Sequence, residues 1–375
     1  MNAPYSPGLD ESDALRLGTY PTPLRRLEGA PGVEHDLWIK DDGKTAPAYG
    51  GNKVRKLERL LQVARQRGAA RLLTVGAAGS HHVLATCLYG ARFGLKTHAV
   101  LVPQPWTAHA EATLLAGLRA GLSAAPAGSY LDAVRALRKE RRADDFLIGP
   151  GGAGSDGTWA YCLAVDELRA QMSKLGLPEL DAIIVAAGSG STAAGLLGGN
   201  LRGRERAARR IVAVQVAPNP ALRALVVGQA LYALWRHDQS AARPLDALST
   251  LRIDARYVGR GYGYPSAAGE RASELARSFG LALEPTYTAK AFAAALELAS
   301  GSRRDNPRCK LRLHRRRTYL YWHTLSAVPS TSAVPTTASS TGAPASFAGA
   351  PALLPPELAR LLHEPSLTPP SFNRS

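Results

Sequence analysis

The chain has 375 residues, 45% of them hydrophobic and 20% charged, with a formal net charge of +16. That balance can bury a large core and excludes global disorder, and no apolar run reaches the ~18 residues of a membrane span. Three cysteines (Cys87, Cys162, Cys309), none in a CxxC pair, cannot build a disulfide framework. The opening residues MNAPYSPGLDESDALRLG lack a basic segment followed by an apolar one, so no export signal is expected and a reduced cytoplasm is the expected compartment.

In chain order, the first informative segment is Trp38–Glu58, WIKDDGKTAPAYGGNKVRKLE, which ends in an amphipathic helix predicted over Val54–Gln66. From Arg71 to about Val216, short apolar runs alternate with longer amphipathic ones. RLLTVGA, THAVLVP, DFLIGP, DAIIVAA and RIVAVQV read as buried parallel strands, and Val83–Phe93, Ala108–Ala120, Tyr130–Arg141 and Trp159–Leu175 read as helices. Such alternation predicts an α/β fold with parallel sheets covered on both faces, whose ligands bind at the carboxyl ends of the strands. Three strands run out into glycine-rich loops, GAAGSHH, GPGGAGSDG and AAGSGSTAAG, as backbone does when it must approach something closely. Beyond Pro218, helices are predicted over Ala221–Trp235, Ser266–Phe279 and Tyr287–Ser300, a Gly/Tyr loop over RYVGRGYGYP, and a last strand over Tyr319–His323. Between Arg303 and Arg317 stand eight Lys/Arg and one acid; this run reads as solvated surface, and nucleic acid is not the expected partner. Eighteen of the twenty residues Thr331–Ala350 are Ala, Ser, Thr, Gly or Pro, which reads as disordered linker, with a short helix expected at Pro356–His363. Removal of everything after Ser330 is therefore expected to be harmless.

Two places carry chemistry. The Gly-Gly-Asn turn delivers Lys53 and then Lys56 at a helix start, an unfavourable place for a purely structural cation because the macrodipole is positive there. The same field lowers an amine pKa and attracts anions, which suits Lys53 as a Schiff-base amine and Lys56 as an anion contact; two exposed lysines after a glycine turn are the alternative. The turn Gly188–Gly195, GSGSTAAG, follows a strand and opens a helix, so its N–H groups and hydroxyls can cradle a phosphate, or its glycines can serve helix–sheet packing. It lacks the Gly-Lys of a P-loop, and no acid is placed for a ribose. Adjacent His81 and His82 diverge without a third ligand, so no metal is expected. Cys87, Cys162 and Trp159–Tyr161 read as core, and His35 and His109 as surface.

GGNKVRKLE, GAAGSHH, GSGSTAAG, YGYP and EPTYTAKA, in this order, resemble the fold-type-II pyridoxal-phosphate enzymes, specifically the D-cysteine desulfhydrase / 1-aminocyclopropane-1-carboxylate (ACC) deaminase group, over roughly Leu17 to Thr324. The resemblance implies a two-domain, tryptophan synthase β-like α/β architecture. Residues 1–53 plus 175–326 would form the larger cofactor-binding domain, 54–174 a smaller α/β domain, and 327–375 a linker and tail. It also implies pyridoxal 5'-phosphate as cofactor, a small amino acid as substrate and a homodimer. Carried over residue by residue, Lys53 would hold the cofactor covalently and shuttle protons. Asn52, Lys56, Gly188, Ser189, Gly190, Ser191 and Thr192 would bind the cofactor, the last five with Lys56 at its phosphate. Ser80 would face the substrate carboxylate, and Tyr262 and Tyr287 would touch substrate or assist proton transfer. Thr288 falls where the pyridine nitrogen finds its partner, Thr324 lies beside the ring, and Asp42 belongs to a K-x-D-D strand with a structural role. Two departures stand out: His81 replaces the family's asparagine, and His323-Thr324-Leu325-Ser326 replaces His-Thr-Gly-Gly. Threonine at 288 and 324 matches desulfhydrase-type members. The expected function is therefore D-cysteine desulfhydration; ACC deamination, or an altered paralogue that binds cofactor without this turnover, is the alternative.

Overall fold

A computed structural model describes residues 15–203, 205–239, 242–301, 316–333 and 354–363. Strands β1 (Leu24–Arg26) and β2 (Asp36–Asp41) precede helix α1 (Asn52–Gln66). Then come β3 (Arg71–Ala77), α2 (His81–Ala91), β4 (Lys96–Val102), β5 (Gln104–Pro105), α3 (Ala108–Arg119), β6 (Ser123–Pro126), α4 (Tyr130–Glu140) and β7 (Asp145–Ile148). The long helix α5 (Ser155–Leu175) leads to β8 (Ala182–Ala187), α6 (Ser191–Leu201), β9 (Ile211–Gln215), α7 (Leu222–His237), α8 (Pro244–Thr250) and β10 (Leu251–Asp254). The chain closes with α9 (Ala267–Ser278), α10 (Thr288–Ala299), β11 (Thr318–His323), α11 (Pro356–Ala359) and β12 (Leu362–His363).

Two principal sheets result. The larger has strand order β1-β2-β11-β8-β9-β10 and is parallel except for the β1–β2 pair; the smaller, β6-β4-β3-β7, is parallel throughout. Parallel strands must be covered on both faces, which is why β8 reads as the unbroken run AIIVAA. Ile183 and Val185 face Leu168, Leu196, Val226 and Trp322, while Ala182 and Ile184 face Ala276, Phe292 and Tyr321. In the smaller unit, α1 and α2 pack Val54, Leu57, Leu61, Leu84 and Ala85 over Leu72 and Ile148. No helix among the described residues is long and apolar enough to cross a membrane.

Differences from the sequence expectations have physical reasons. Helix α5, assigned above to the smaller domain, contributes Tyr161, Val165 and Leu168 to the larger sheet's core, so a boundary at 174 cuts through packed side chains. Strands β6 and β10 lie outside the predicted elements because SAAP and LRID are four-residue edge strands, too short to show an apolar run. The tail beyond Ser330 is not featureless: Ser330 is buried, and Leu358 and Leu361 pack into a core cluster with Ala78, Val83, Cys87 and Leu114. These tail contacts remove the ground for expecting truncation after Ser330 to be harmless. Most of the basic run 303–317, Cys309 and the Ser/Thr/Ala-rich stretch 334–353 lie outside the described residues.

Candidate active site

The site begins at the turn that launches α1. Gly51 has φ +93°, a conformation side chains rarely adopt, and a Cβ there would lie 2.8 Å from the Thr324 carbonyl oxygen. The turn is pinned from three sides. The Gly51 N–H donates to the Asp42 carbonyl at 2.8 Å and the Asn52 N–H to the Thr324 carbonyl at 3.1 Å. The Gly50 N–H donates to Ser326 Oγ at 2.9 Å. Leu325-Ser326 therefore braces the lysine turn despite replacing two glycines.

Lys53 and Lys56 follow in the first turns of α1. Lys53 Nζ donates weakly to the Gly151 carbonyl at 3.4 Å. Lys56 Nζ donates to the same carbonyl at 3.2 Å and to Ser191 Oγ at 2.5 Å. Neither pairs with a carboxylate among the described residues. Burial lowers the Lys53 amine to about 8, and burial together with the neighbouring Lys53 charge depresses Lys56 well below the usual lysine range. A buried cation pair without an acid is costly until an anion arrives.

Helix α6 supplies the complement. Its N-cap is Gly190, at φ +84°, with no side chain capping the first amides, and Ser191 and Thr192 open the helix. Asn52 Nδ2 donates to Thr192 Oγ1 at 3.1 Å, tying this turn to the lysine turn. Open amide donors, two hydroxyls, a positive macrodipole end and two lysines are what a phosphate-bearing ligand with an amine-reactive carbonyl would need.

Around these groups lies a cavity of about 650 Å³, between the carboxyl ends of the two sheets. Asn52, Lys53, Ser80, His81, Gly188, Ser189, Gly190, Ser191, Thr192, Tyr262, Tyr287, Thr288 and Thr324 all line it. Lys56 does not; it stands one layer behind, against Ser191.

Ser80 caps α2, accepting from the Val83 N–H. The Tyr287 hydroxyl donates to Tyr262 Oη at 3.0 Å, the rings edge to face, and burial holds both phenols protonated. Lys290 donates to the carbonyls of Val258 and Gly261, each at 2.9 Å, which fixes the loop that carries Tyr262.

Three features were missed in the sequence. His109, expected at the surface, lies with its Nε2 2.7 Å from His81 Nε2, while His81 Nδ1 hydrogen-bonds the Tyr49 hydroxyl. Burial, with the His109 and Lys53 charges, lowers His81 to about 3, so its imidazole is neutral. Glu284, inside the quoted EPTYTAKA, is buried and lines the cavity behind Thr288. Its carboxylate accepts from the Thr286, Tyr287 and Thr288 N–H groups at 2.7–2.8 Å, and Thr288 Oγ1 lies 3.2 Å from it. Gln104 lines the cavity from β5, where nothing in its sequence neighbourhood marks it.

Known proteins bear on this geometry. A D-cysteine desulfhydrase of Salmonella paratyphi A is 31% identical over 310 residues, covering 77% of this chain and 89% of that protein. A nocardicin C-9' epimerase of Nocardia uniformis is 33% identical over 290 residues, covering 73% and 84% respectively. The crystal structure of an ACC deaminase homologue superposes with TM-score 0.67 at 27% identity, over 85% of this chain and 93% of that one. The pattern of one family, described as pyridoxal-phosphate dependent enzyme, matches residues 15–307, and the cavity's buried lysines and uncapped helix fit that cofactor's aldehyde and phosphate; the chain belongs to the pyridoxal-phosphate dependent enzymes.

Proposed function

We propose that this lyase acts on D-cysteine, converting it with water to pyruvate, ammonia and sulfide. When bound, pyridoxal phosphate supplies an electron sink for the bond broken at the substrate's α-carbon. The chain's own groups would do the rest. Lys53 Nζ, with its pKa lowered to about 8 by burial, can hold or release a proton near neutrality, as a base at the α-carbon must. Ser80 would hold the substrate carboxylate. Neutral His81 lines the cavity where the family's asparagine meets the cofactor, but its Nδ1 and Nε2 are bonded to Tyr49 and His109, so its single N–H is already committed within the protein. Protonated Tyr287 and Tyr262 can deliver a hydrogen bond to departing sulfur.

The observation that carries D-cysteine over ACC is Thr288. It lines the cavity with a neutral side chain whose hydroxyl accepts from the Glu284 N–H at 2.8 Å, and Glu284, the one carboxylate among the described lining residues, is engaged by three backbone N–H groups. A hydroxyl stabilises a protonated ring nitrogen far less than a carboxylate would. That weaker sink suffices when thiolate leaves directly after α-proton loss, and is poorly suited to opening a cyclopropane ring. In a panel of D-cysteine, L-cysteine and ACC, the holoenzyme should release sulfide and pyruvate in equal amounts from D-cysteine. Its kcat/KM for D-cysteine should exceed that for ACC by at least ~100-fold, about 2.7 kcal/mol of transition-state preference. 2-Oxobutanoate from ACC at a rival rate would overturn the assignment.

The phosphate assignment has its own test. Replacing both Ser191 and Thr192 with alanine removes two hydroxyl donors to a dianion, each worth about 1.5–3 kcal/mol, and leaves Lys56 Nζ without its Ser191 contact. Cofactor affinity should fall more than tenfold by equilibrium titration while the melting temperature of the apo chain changes little. Unchanged affinity would make the turn a packing feature only.

A further inference from the structure

We propose that residues 354–363 form a positioning strap that holds the Gly79–His81 wall of the active site. The segment folds back on the smaller unit although twenty residues, 334–353, separate it from the preceding described chain. Helix α11 inserts Leu358, 4% exposed, and the following turn inserts Leu361, 6% exposed, between α2 and α3, against Ala78, Val83, Cys87 and Leu114. The chain then runs parallel to β5, with Leu362 opposite Gln104, and the Gln104 N–H donates to the Leu361 carbonyl at 2.9 Å. Among the described residues β12 is the only strand paired with β5.

Gln104 is where the strap meets the site. Its backbone is held by the strap, its side chain lines the cavity, and its Oε1 accepts from the Gly79 N–H at 3.1 Å. Gly79 immediately precedes Ser80 and His81. From strap to cavity wall is thus one strand residue and two hydrogen bonds. Helix α3, which supports Leu358 and Leu361 through Leu114, also carries His109, the partner of His81. The lysine and phosphate turns stand on α1 and α6 and make none of these contacts. The strap therefore acts on the substrate side of the site and leaves cofactor anchoring alone, a role that rests on the reading of Ser80 and His81 as substrate- and cofactor-facing.

The test uses the folded holoenzyme with a site-specific protease sequence placed between residues 340 and 345. Cleavage after folding leaves the strap held only by its non-covalent contacts, and gel filtration then removes it. Three changes are expected on release: amide exchange at Gly79–Val83 speeds at least tenfold, the visible band of the lysine-bound cofactor shifts, and kcat/KM for D-cysteine falls at least tenfold. Cofactor stoichiometry stays at one per chain. A synthetic peptide of residues 351–366 added in excess should reverse all three. The uncut Leu358→Asp/Leu361→Asp variant, in which buried charge expels the strap, should reproduce them if the cut fragment stays bound through the column. Exchange and absorbance need no turnover, so an enzyme silent on D-cysteine would refute the substrate assignment while still reporting on the strap. Unchanged exchange and absorbance after strap release, or a bound peptide that restores neither, would overturn the proposal.

Discussion

Replacing Lys53 with methionine should abolish turnover and, at the same pH, make the apo chain more stable. Turnover would lose both the covalent anchor and the base at the α-carbon; a positioned base alone is worth ~10²–10⁴-fold, so a loss of at least ~10³-fold is expected. The stability gain follows from the sign of the pKa shift. Burial lowers the folded-state value to about 8 from the usual 10.5, so across that interval the unfolded chain binds the extra proton, and the native apo protein gains stability as pH rises. Below it the buried ammonium is a standing cost, and its charge also depresses the neighbouring Lys56. Methionine keeps the stem and removes the charge, and urea unfolding at pH 7 should show a raised midpoint, with the advantage disappearing toward pH 10.5. Borohydride reduction of the holoenzyme should label Lys53 alone. Lys56 is turned to Ser191 behind the cavity wall, and Lys290 is tied to backbone carbonyls away from it. Label on either of those, or a destabilised methionine variant at pH 7, would refute the assignment.

What could be read in the sequence, and what could not, divides along physical lines. Strands such as β3, β8 and β9 were legible because burial on both faces forces unbroken apolar runs, and their glycine-rich exits mark where a ligand must approach backbone. The placement of Lys53, Ser191 and Thr192 at helix starts was legible because a glycine turn before an amphipathic or apolar run marks such a start. His109 was not, since a histidine near the start of a helix looks the same whether it faces water or His81; only the register of α2 against α3 decides. Glu284 was hidden by its role: it serves three backbone amides, and a residue that caps a turn leaves no spacing signature. The strap was masked by its neighbour. Leu354, Leu358 and Leu361 carry a helical spacing, and a short helix was legible at Pro356–His363, but the low-complexity stretch before it gave no sign that this helix packs back on the smaller unit.

The second large effect is expected at Asp42, a residue that never touches the cavity. Its carboxylate is fully buried and accepts from Arg55 Nη2 at 2.9 Å, the Tyr161 hydroxyl at 2.6 Å, Trp322 Nε1 at 2.8 Å and Thr22 Oγ1 at 2.9 Å. Arg55 and Lys40 also meet Glu167, so two cations balance two anions between β2, α1, α5 and β11. Each arm reaches a site element: Arg55 lies two residues after Lys53, and Trp322 two before Thr324. Asp42→Asn keeps the shape but removes one charge, leaving the guanidinium under-neutralised in the interior. Breaking a buried pair from one side costs about 3–5 kcal/mol, a large share of a typical fold's stability. Burial alone would raise the Asp42 carboxyl, but Arg55 and its hydrogen bonds hold it below the usual carboxylate range. Its stabilisation is therefore present above the unfolded value near 4 and is lost as pH falls through the lower folded one. The gap between native chain and Asp42→Asn in urea unfolding should be full at pH 7 and shrink under acid conditions. Pairing Asp42→Asn with Arg55→Met should cost less than the sum of the two single changes, because the second removes the charge that the first leaves unpaired. Additive losses, or a gap that persists unchanged into acid, would mean that the shape of this cluster, and not its charge, aligns the lysine turn with β11.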